Sequence, residues 1–169
     1  MGPYVGYAGI VRQRLLVLAL LGTACIPTTS STSGDQPAVG DDAVDGQFTF
    51  VVDSFQCGET EVKNGIFAQE ANGEFCLLDL TVTNTGDQGR DFLAGAQGLF
   101  SYGGGRLAPS NEATILVNAD VVNEEINPGL SIEATVIFDI ADPAEIEFAH
   151  LKDAPLSQGV KVRLGLERG

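Results

Sequence analysis

Between Phe75 and Asn84 one parity is apolar throughout, with Cys76, Leu78, Leu80 and Val82, while Asp79, Thr81 and Thr83 make the other polar. A two-residue period sends the two sets to opposite faces of a β-strand, whereas a helix would scatter the apolar set around its circumference. A strand with one dry and one wet face must pair with others and bury the dry side. This segment therefore commits the chain to an antiparallel layer over a core.

The same period recurs. Phe48, Phe50 and Val52 share a face, and Val51, Phe55 and Cys57 have the opposite parity, which predicts a bulge near Asp53 or a buried edge. Asn64-Gly65 and Asn72-Gly73 predict two tight turns around a short segment holding Ile66 and Phe67. Thr85-Gly86-Asp87 ends the central strand. Phe92 is expected to re-enter the core, ahead of a strand at 99–102 and a hairpin at Gly103-Gly104-Gly105. That glycine run lacks the Gly-Lys-Ser/Thr of a phosphate loop and reads as a turn. Residues 113–117 read as a short strand, and 119–126 leave room for a helical turn. Asn127-Pro128-Gly129 is a turn with a mechanism, because Pro presets φ at its second position and Gly tolerates positive φ at its third. It launches Leu130, Ile132, Ala134, Val136 and Phe138 on one face, with Glu133, Thr135 and Asp139 outward. Ile146, Phe148 and His150 then alternate with Glu145, Glu147 and Ala149, and Val160, Val162, Leu164 and Leu166 close the series. Short strands at short spacing, with 21 glycines mostly in turn contexts, predict an all-β fold. The expected form is an immunoglobulin-like antiparallel β-sandwich of seven or eight strands over residues 47–169.

The residues before this domain read as an address. Arg12 and Arg14 precede the apolar run Leu15-Leu16-Val17-Leu18-Ala19-Leu20-Leu21, which at about 1.5 Å per residue is far too short for a ~30 Å hydrocarbon core. Residues 1–24 are therefore expected to be a signal peptide. The Gly-rich stretch before Arg12 leaves two starts open, Met1 and one near Val11. Leu21-Gly22-Thr23-Ala24-Cys25 resembles a bacterial lipobox, in which the cysteine takes a diacylglycerol and becomes the new N-terminus. Gly22 stands where leucine is usual, so ordinary cleavage that leaves Cys25 free, in a secreted protein, is the competing reading. Two acyl chains suffice for stable attachment. Residues 25–46, Ser/Thr-rich and then acidic, are expected to form a disordered tether. Asp41, Asp42 and Asp45 before Gly46 lack the alternating acids of a calcium loop, so no metal is assigned there.

With Cys25 given to the anchor, Cys57 and Cys76 remain as a pair. Outside the cytoplasm they are expected to form a disulfide, worth about 3 kcal/mol for a loop of this length. Against 23 Asp and Glu stand nine Lys and Arg, a net charge of −14. That balance argues against nucleic acid as a partner, since phosphate binding needs clustered cations. No Gly-x-Ser-x-Gly, Ser-x-x-Lys or His-Glu-x-x-His is present, and His150 is the single histidine. The expectation is a protein that is not an enzyme and holds no cofactor. Paired carboxylates are the one catalytic option left open.

The succession from Phe75-Cys76-Leu77-Leu78-Asp79-Leu80 through Thr83-Asn84-Thr85-Gly86, then Phe92, Ile126-Asn127-Pro128-Gly129 and Val136-Ile137-Phe138-Asp139-Ile140 resembles the telokin-like, immunoprotective-extracellular domain family. The resemblance covers residues 47–166. It implies an immunoglobulin-like sandwich on an exported lipoprotein of a Gram-positive bacterium, with an unassigned domain function and no catalytic residues. The matching positions are turn and core residues, so they carry fold across and no active site.

The function expected from these features is a binding module, lipid-anchored on the outer side of the bacterial cell membrane, with a cell-envelope protein as its possible partner. The candidate contact regions are residues 103–111 and 118–127. The alternatives are a structural spacer or surface antigen without a specific ligand, and an envelope enzyme's accessory subunit using paired carboxylates.

Overall fold

In a computed structural model describing residues 36–165, the alternating segment lies at the centre of a sheet. The chain runs through β1 (Asp42–Asp45), β2 (Phe48–Asn64), β3 (Phe67–Asn84), β4 (Arg90–Leu93), β5 (Gly98–Ser101), β6 (Arg106–Leu107), helix α1 (Asn111–Asn118), β7 (Asn123–Ile126), β8 (Ser131–Ile140), β9 (Ile146–Leu151) and β10 (Val160–Arg163). One sheet has the order β1-β2-β3-β8, a second β10-β9-β5-β6, and β4 and β7 form a two-stranded ribbon. Every strand pairing is antiparallel. The expected signal peptide, the lipidation at Cys25, the first part of the tether and Leu166 lie outside the described residues.

One core joins all three layers. Phe48, Phe50, Leu78, Leu80, Val82, Val136 and Phe138 enter it from the first sheet. Leu99, Ala149, Leu151 and Val162 enter it from the second, and Phe92 and Ile126 from the ribbon. On the opposite face of the first sheet, Val62, Phe75 and Ile137 meet Ala113 of α1 in a smaller cluster. The turn at Asn127-Pro128-Gly129 forms as expected, with Gly129 at φ 77° and its N–H on the Asn84 carbonyl at 2.8 Å. The predicted irregularity near Asp53 is also present, as a register shift between Val52 and Ser54.

The structure corrects several expectations. It holds ten strands among the described residues, where seven or eight were expected. The domain begins well before Gln47: Arg163 N–H donates to the Pro37 carbonyl at 2.7 Å, Gly40 N–H to the Val52 carbonyl at 2.9 Å, and β1 pairs with β2. The segment expected to be tether up to residue 46 is thus bound into both sheets from residue 37 onward. A single alanine supplies the reason, since Ala43 is buried in the core at 1% exposure, and its polar neighbours carry the bonding.

Residues 113–117 are helix, not strand. Ser110 caps α1, its hydroxyl accepting from Ala113 N–H at 3.4 Å, and Glu112 stands in the first turn where the helix dipole favours an acid. Asn72-Gly73 is no turn but lies inside β3, where the Asp139 carboxylate accepts from Asn72 N–H and Gly73 N–H, both at 2.9 Å. In β9 the expected faces are partly exchanged. Ile146 is buried, but Ala149 and Leu151 join it while Phe148 and His150 turn outward. Phe100 and Ser101 pair with Phe148 and Ile146, so Glu147 is an extra residue of β9, and this bulge accounts for the change of parity.

Candidate functional site

Helix α1 is seated on the free edge of β8. The Thr114 hydroxyl accepts from Ile137 N–H at 3.1 Å, and the Ile137 carbonyl accepts from Ser110 N–H at 2.8 Å. Both outward backbone groups of that edge residue are satisfied, so α1 stands at a fixed place. Beside it the buried amide of Gln97 ties two loops together. Its Nε2 donates to the carbonyls of Leu93 (2.9 Å) and Lys152 (3.1 Å), and its Oε1 accepts from Lys152 N–H at 2.9 Å.

Between these fixed parts opens an apolar cleft of about 400 Å³, lined by Leu93, Gly95, Ala96, Asn111, Ile115, Val122 and Pro155. Asn111 belongs to one of the contact regions expected from sequence and Val122 to the other, so the fold brings their ends together. Ile115 is 49% exposed and Leu156, next to Pro155, is 98% exposed. Along one side the Arg90–Asp153 ion pair, 3.2 Å long, forms a polar rim. An apolar floor with a charged edge is the chemistry of a seat for an apolar side chain.

A second cleft, about 460 Å³, lies on the outer face of the first sheet. Asp53, Asp79, Thr81, Glu133 and Thr135 line it, with Asn118 beside them. Asp79 accepts from the Ser54 hydroxyl (2.6 Å) and the Thr135 hydroxyl (2.7 Å), and Asp53 from the Thr81 hydroxyl (2.9 Å). These carboxylates are engaged by their own neighbours. Among the described residues no three potential ligand side chains gather about a point. Asp41 accepts from Ala38 N–H in its own loop, at 2.9 Å, and Asp45 turns toward residues 153–159. Cys57 and Cys76 face each other across β2 and β3 and form the disulfide, with Cα atoms 4.0 Å apart.

The family model described as Domain of unknown function (DUF4352) matches residues 37–155. The chain belongs to this family. No curated protein matches the sequence. A crystal structure of a conserved hypothetical protein from Bacillus anthracis is similar, with a TM-score of 0.52 and 13% identity over 75% of this chain and 96% of that one. The crystal structure of the yjhA protein from Bacillus subtilis matches with a TM-score of 0.49 and 11% identity, over 64% of this chain and 75% of that one.

The DUF4352 match begins at Pro37, the residue where the chain becomes paired with β10. In this domain His150 is half-buried, its Nε2 2.8 Å from the Gln158 carbonyl, while the buried Nδ1 meets no partner. Burial holds its pKa below the usual value, and nearby Lys152, Arg106 and Lys161 push the same way against the Gln158 carbonyl. Sequence reasoning missed Ile115, Pro155 and Leu156. The available signal was Leu156, a large apolar residue alone in a polar loop.

Proposed function

We propose that this DUF4352 domain is an extracytoplasmic, lipid-anchored binding module of the bacterial cell envelope, and that it acts by holding an apolar segment of a partner protein. The observation that carries the reading is the apolar cleft walled by Ala96, Ile115, Val122 and Pro155, where the two candidate contact regions meet. An apolar cleft with half-exposed Ile115, and a fully displayed leucine next in sequence to its lining Pro155, is what a protein contact covers. An immunoglobulin-like sandwich is the architecture proposed for it. In support, two antiparallel four-stranded sheets share one core, and the N-terminal segment serves one sheet and then the other. Lipidation of Cys25 supplies the anchor, and the Cys57–Cys76 bridge fits an oxidising compartment.

The test is site-specific photo-crosslinking in membranes of the producing cell, with the probe at Ile115, at Leu156 and, as a control, at Thr81 in the acidic cleft. One discrete adduct from positions 115 and 156, absent from 81 and lost in an Ala96→Glu variant, is the expected result. Silence at 115 and 156 in a folded protein favours the spacer reading instead.

A further inference from the structure

The outer face of the sheet β10-β9-β5-β6 differs in charge from the rest of this acidic molecule. The described residues include only six Lys and Arg side chains: Lys63, Arg90, Arg106, Lys152, Lys161 and Arg163. The pairings place Arg106 opposite Phe100, Phe100 opposite Phe148, Phe148 opposite Arg163, and His150 opposite Lys161. Antiparallel partners share a face, so these side chains lie on the side away from the buried Leu99, Ala149 and Leu151. Lys152, two residues beyond His150, has the same parity.

Neutral groups hold three of these cations in place. The Lys161 ammonium sits 4.4 Å from the centre of the Phe100 ring and 5.5 Å from that of Phe148. The Arg106 guanidinium donates to the carbonyls of Ala96 (3.1 Å) and Gln97 (2.9 Å), and the Lys152 ammonium to the Pro155 carbonyl at 2.7 Å. The two ion pairs among the described residues, Lys63–Glu61 and Arg90–Asp153, involve none of the three. Carboxylates are abundant in this chain, yet Lys161, Arg106 and Lys152 are positioned by π-faces and carbonyl oxygens, which leave their charge unneutralised.

Charge of this kind calls for an anionic partner, and the shape of the face says how large. The pairings lay these side chains next to one another across four adjacent strands, an extended surface that suits an extended partner. The strands of this sheet carry one acid, Glu147, against Arg106, Lys161 and Arg163. The acids of the opposite sheet lie a further sheet spacing away, about 10 Å, which exceeds the ~8 Å screening length at physiological salt. A flat anionic surface in contact with the cations is therefore attracted despite the net charge of −14. The chain also enters the domain on this side, since Pro37 and Ala38 run beside β10 at Arg163. The twelve residues back to Cys25 can reach at most about 40 Å in any conformation, which keeps the sheet near the anchor.

We propose that the outer face of the β10-β9-β5-β6 sheet docks the domain onto the anionic phospholipid headgroups of the membrane that holds its anchor. The proposal rests on the lipid-anchored reading above, and its test separates the two. The full chain, recovered from the cells that make it, is offered two kinds of vesicle in the same tube: phosphatidylcholine alone, and denser vesicles containing one part in three of phosphatidylglycerol. The two kinds are separated by sedimentation, so that the share on each reads the headgroup preference although the anchor can enter either. Each surface cation contributes about fivefold to binding an anionic leaflet. The wild type is expected to prefer the anionic vesicles more than tenfold at low salt. That preference should shrink in 0.5 M salt and largely disappear in a Lys161→Gln/Arg106→Gln variant. If that variant melts early, Lys152→Gln, whose ammonium meets a single loop carbonyl, is expected to lose about fivefold. Equal binding to both vesicle types overturns the proposal, as does a preference that folded variants retain. Release from vesicles onto long-chain inorganic polyphosphate also overturns it, because the partner is then a soluble polyanion. Failure of the anchor reading looks different: wild-type chain and variants alike stay off the neutral vesicles.

Discussion

At the scale of single residues, Asp45 carries more of the fold than its acidic context suggests. Its carboxylate accepts from Ser157 Oγ (2.5 Å), Asp153 N–H (2.8 Å) and Gly159 N–H (3.1 Å), which latches β1 to the loop after β9. Burial pushes its pKa up, but the bonds from Ser157, Asp153 and Gly159 outweigh burial and hold it below the usual carboxylate range. Asp139 is held low likewise, its burial outweighed by the bonds from Asn72 and Gly73. A depressed folded pKa means that the unfolded chain takes up the proton first, so this stabilisation is present above about pH 4 and is lost as pH falls further. His150 is depressed as well, so the unfolded chain binds its proton first on acidification below about pH 6.5, and stability falls there too. The melting temperature is thus expected to drop in two steps, one below pH 6.5 and one below pH 4. A His150→Gln variant should lose the first step. Asp45→Ala should lose about 1–3 kcal/mol at pH 7, because two part-buried N–H groups are left without their acceptor, and should flatten the second step. Thermal melts at intervals from pH 2 to 8 check both.

At the scale of elements, legibility followed periodicity. The β3 segment was readable because Cys76, Leu78, Leu80 and Val82 all face one core. The α1 segment was not, since in so short an apolar run Ala113 and Ile115 fit a strand as well as Ala113 and Leu116 fit a helix. The Ser110 cap and the seat on Ile137 decided it, and that seat is a tertiary contact invisible in sequence. β1 was missed because acid-rich, aromatic-free composition reads as disorder, while one buried alanine and one carboxylate acceptor were enough to pair it. No local signal announced the apolar cleft, because its walls come from four separate parts of the chain. Two predictions belong here. The Cys57–Cys76 bridge lies at the last rung before two register shifts of the β2–β3 hairpin, between Cys57 and Glu59 and between Glu59 and Glu61, beyond which the tip pairs 61–64 with 67–70. Its reduction is expected to cost about 3 kcal/mol, roughly 10 °C in melting temperature. Amide exchange should then rise at 61–64 and 67–70 before it rises at 78–82. Thr114→Val removes the acceptor for Ile137 N–H and should cost about 1–3 kcal/mol in chemical unfolding. A loss below 0.5 kcal/mol would mean that water or a shifted helix satisfies the edge.

At the scale of the whole molecule, the proposed functions depend on where the chain starts and what Cys25 carries. The pairing of Pro37 with Arg163 and of Gly40 with Val52 binds the chain into the sheets from residue 37, so limited cleavage on the N-terminal side is expected between residues 25 and 36. That cut separates a lipid-bearing peptide from a domain that keeps its disulfide, and the masses of the two pieces answer separate questions. Intact mass of protein extracted from membranes is expected to begin at Cys25 with an added diacylglycerol, and to gain two hydrogens on reduction. A chain that starts at Cys25 without lipid keeps export and the bridge but removes the anchor, and with it the membrane as the surface opposite Lys161. A chain that starts at Met1 with three free thiols places the domain in a reducing compartment. The apolar cleft at Ile115 would then need a partner inside the cell, while the fold, which rests on burial and pairing, would stand unchanged.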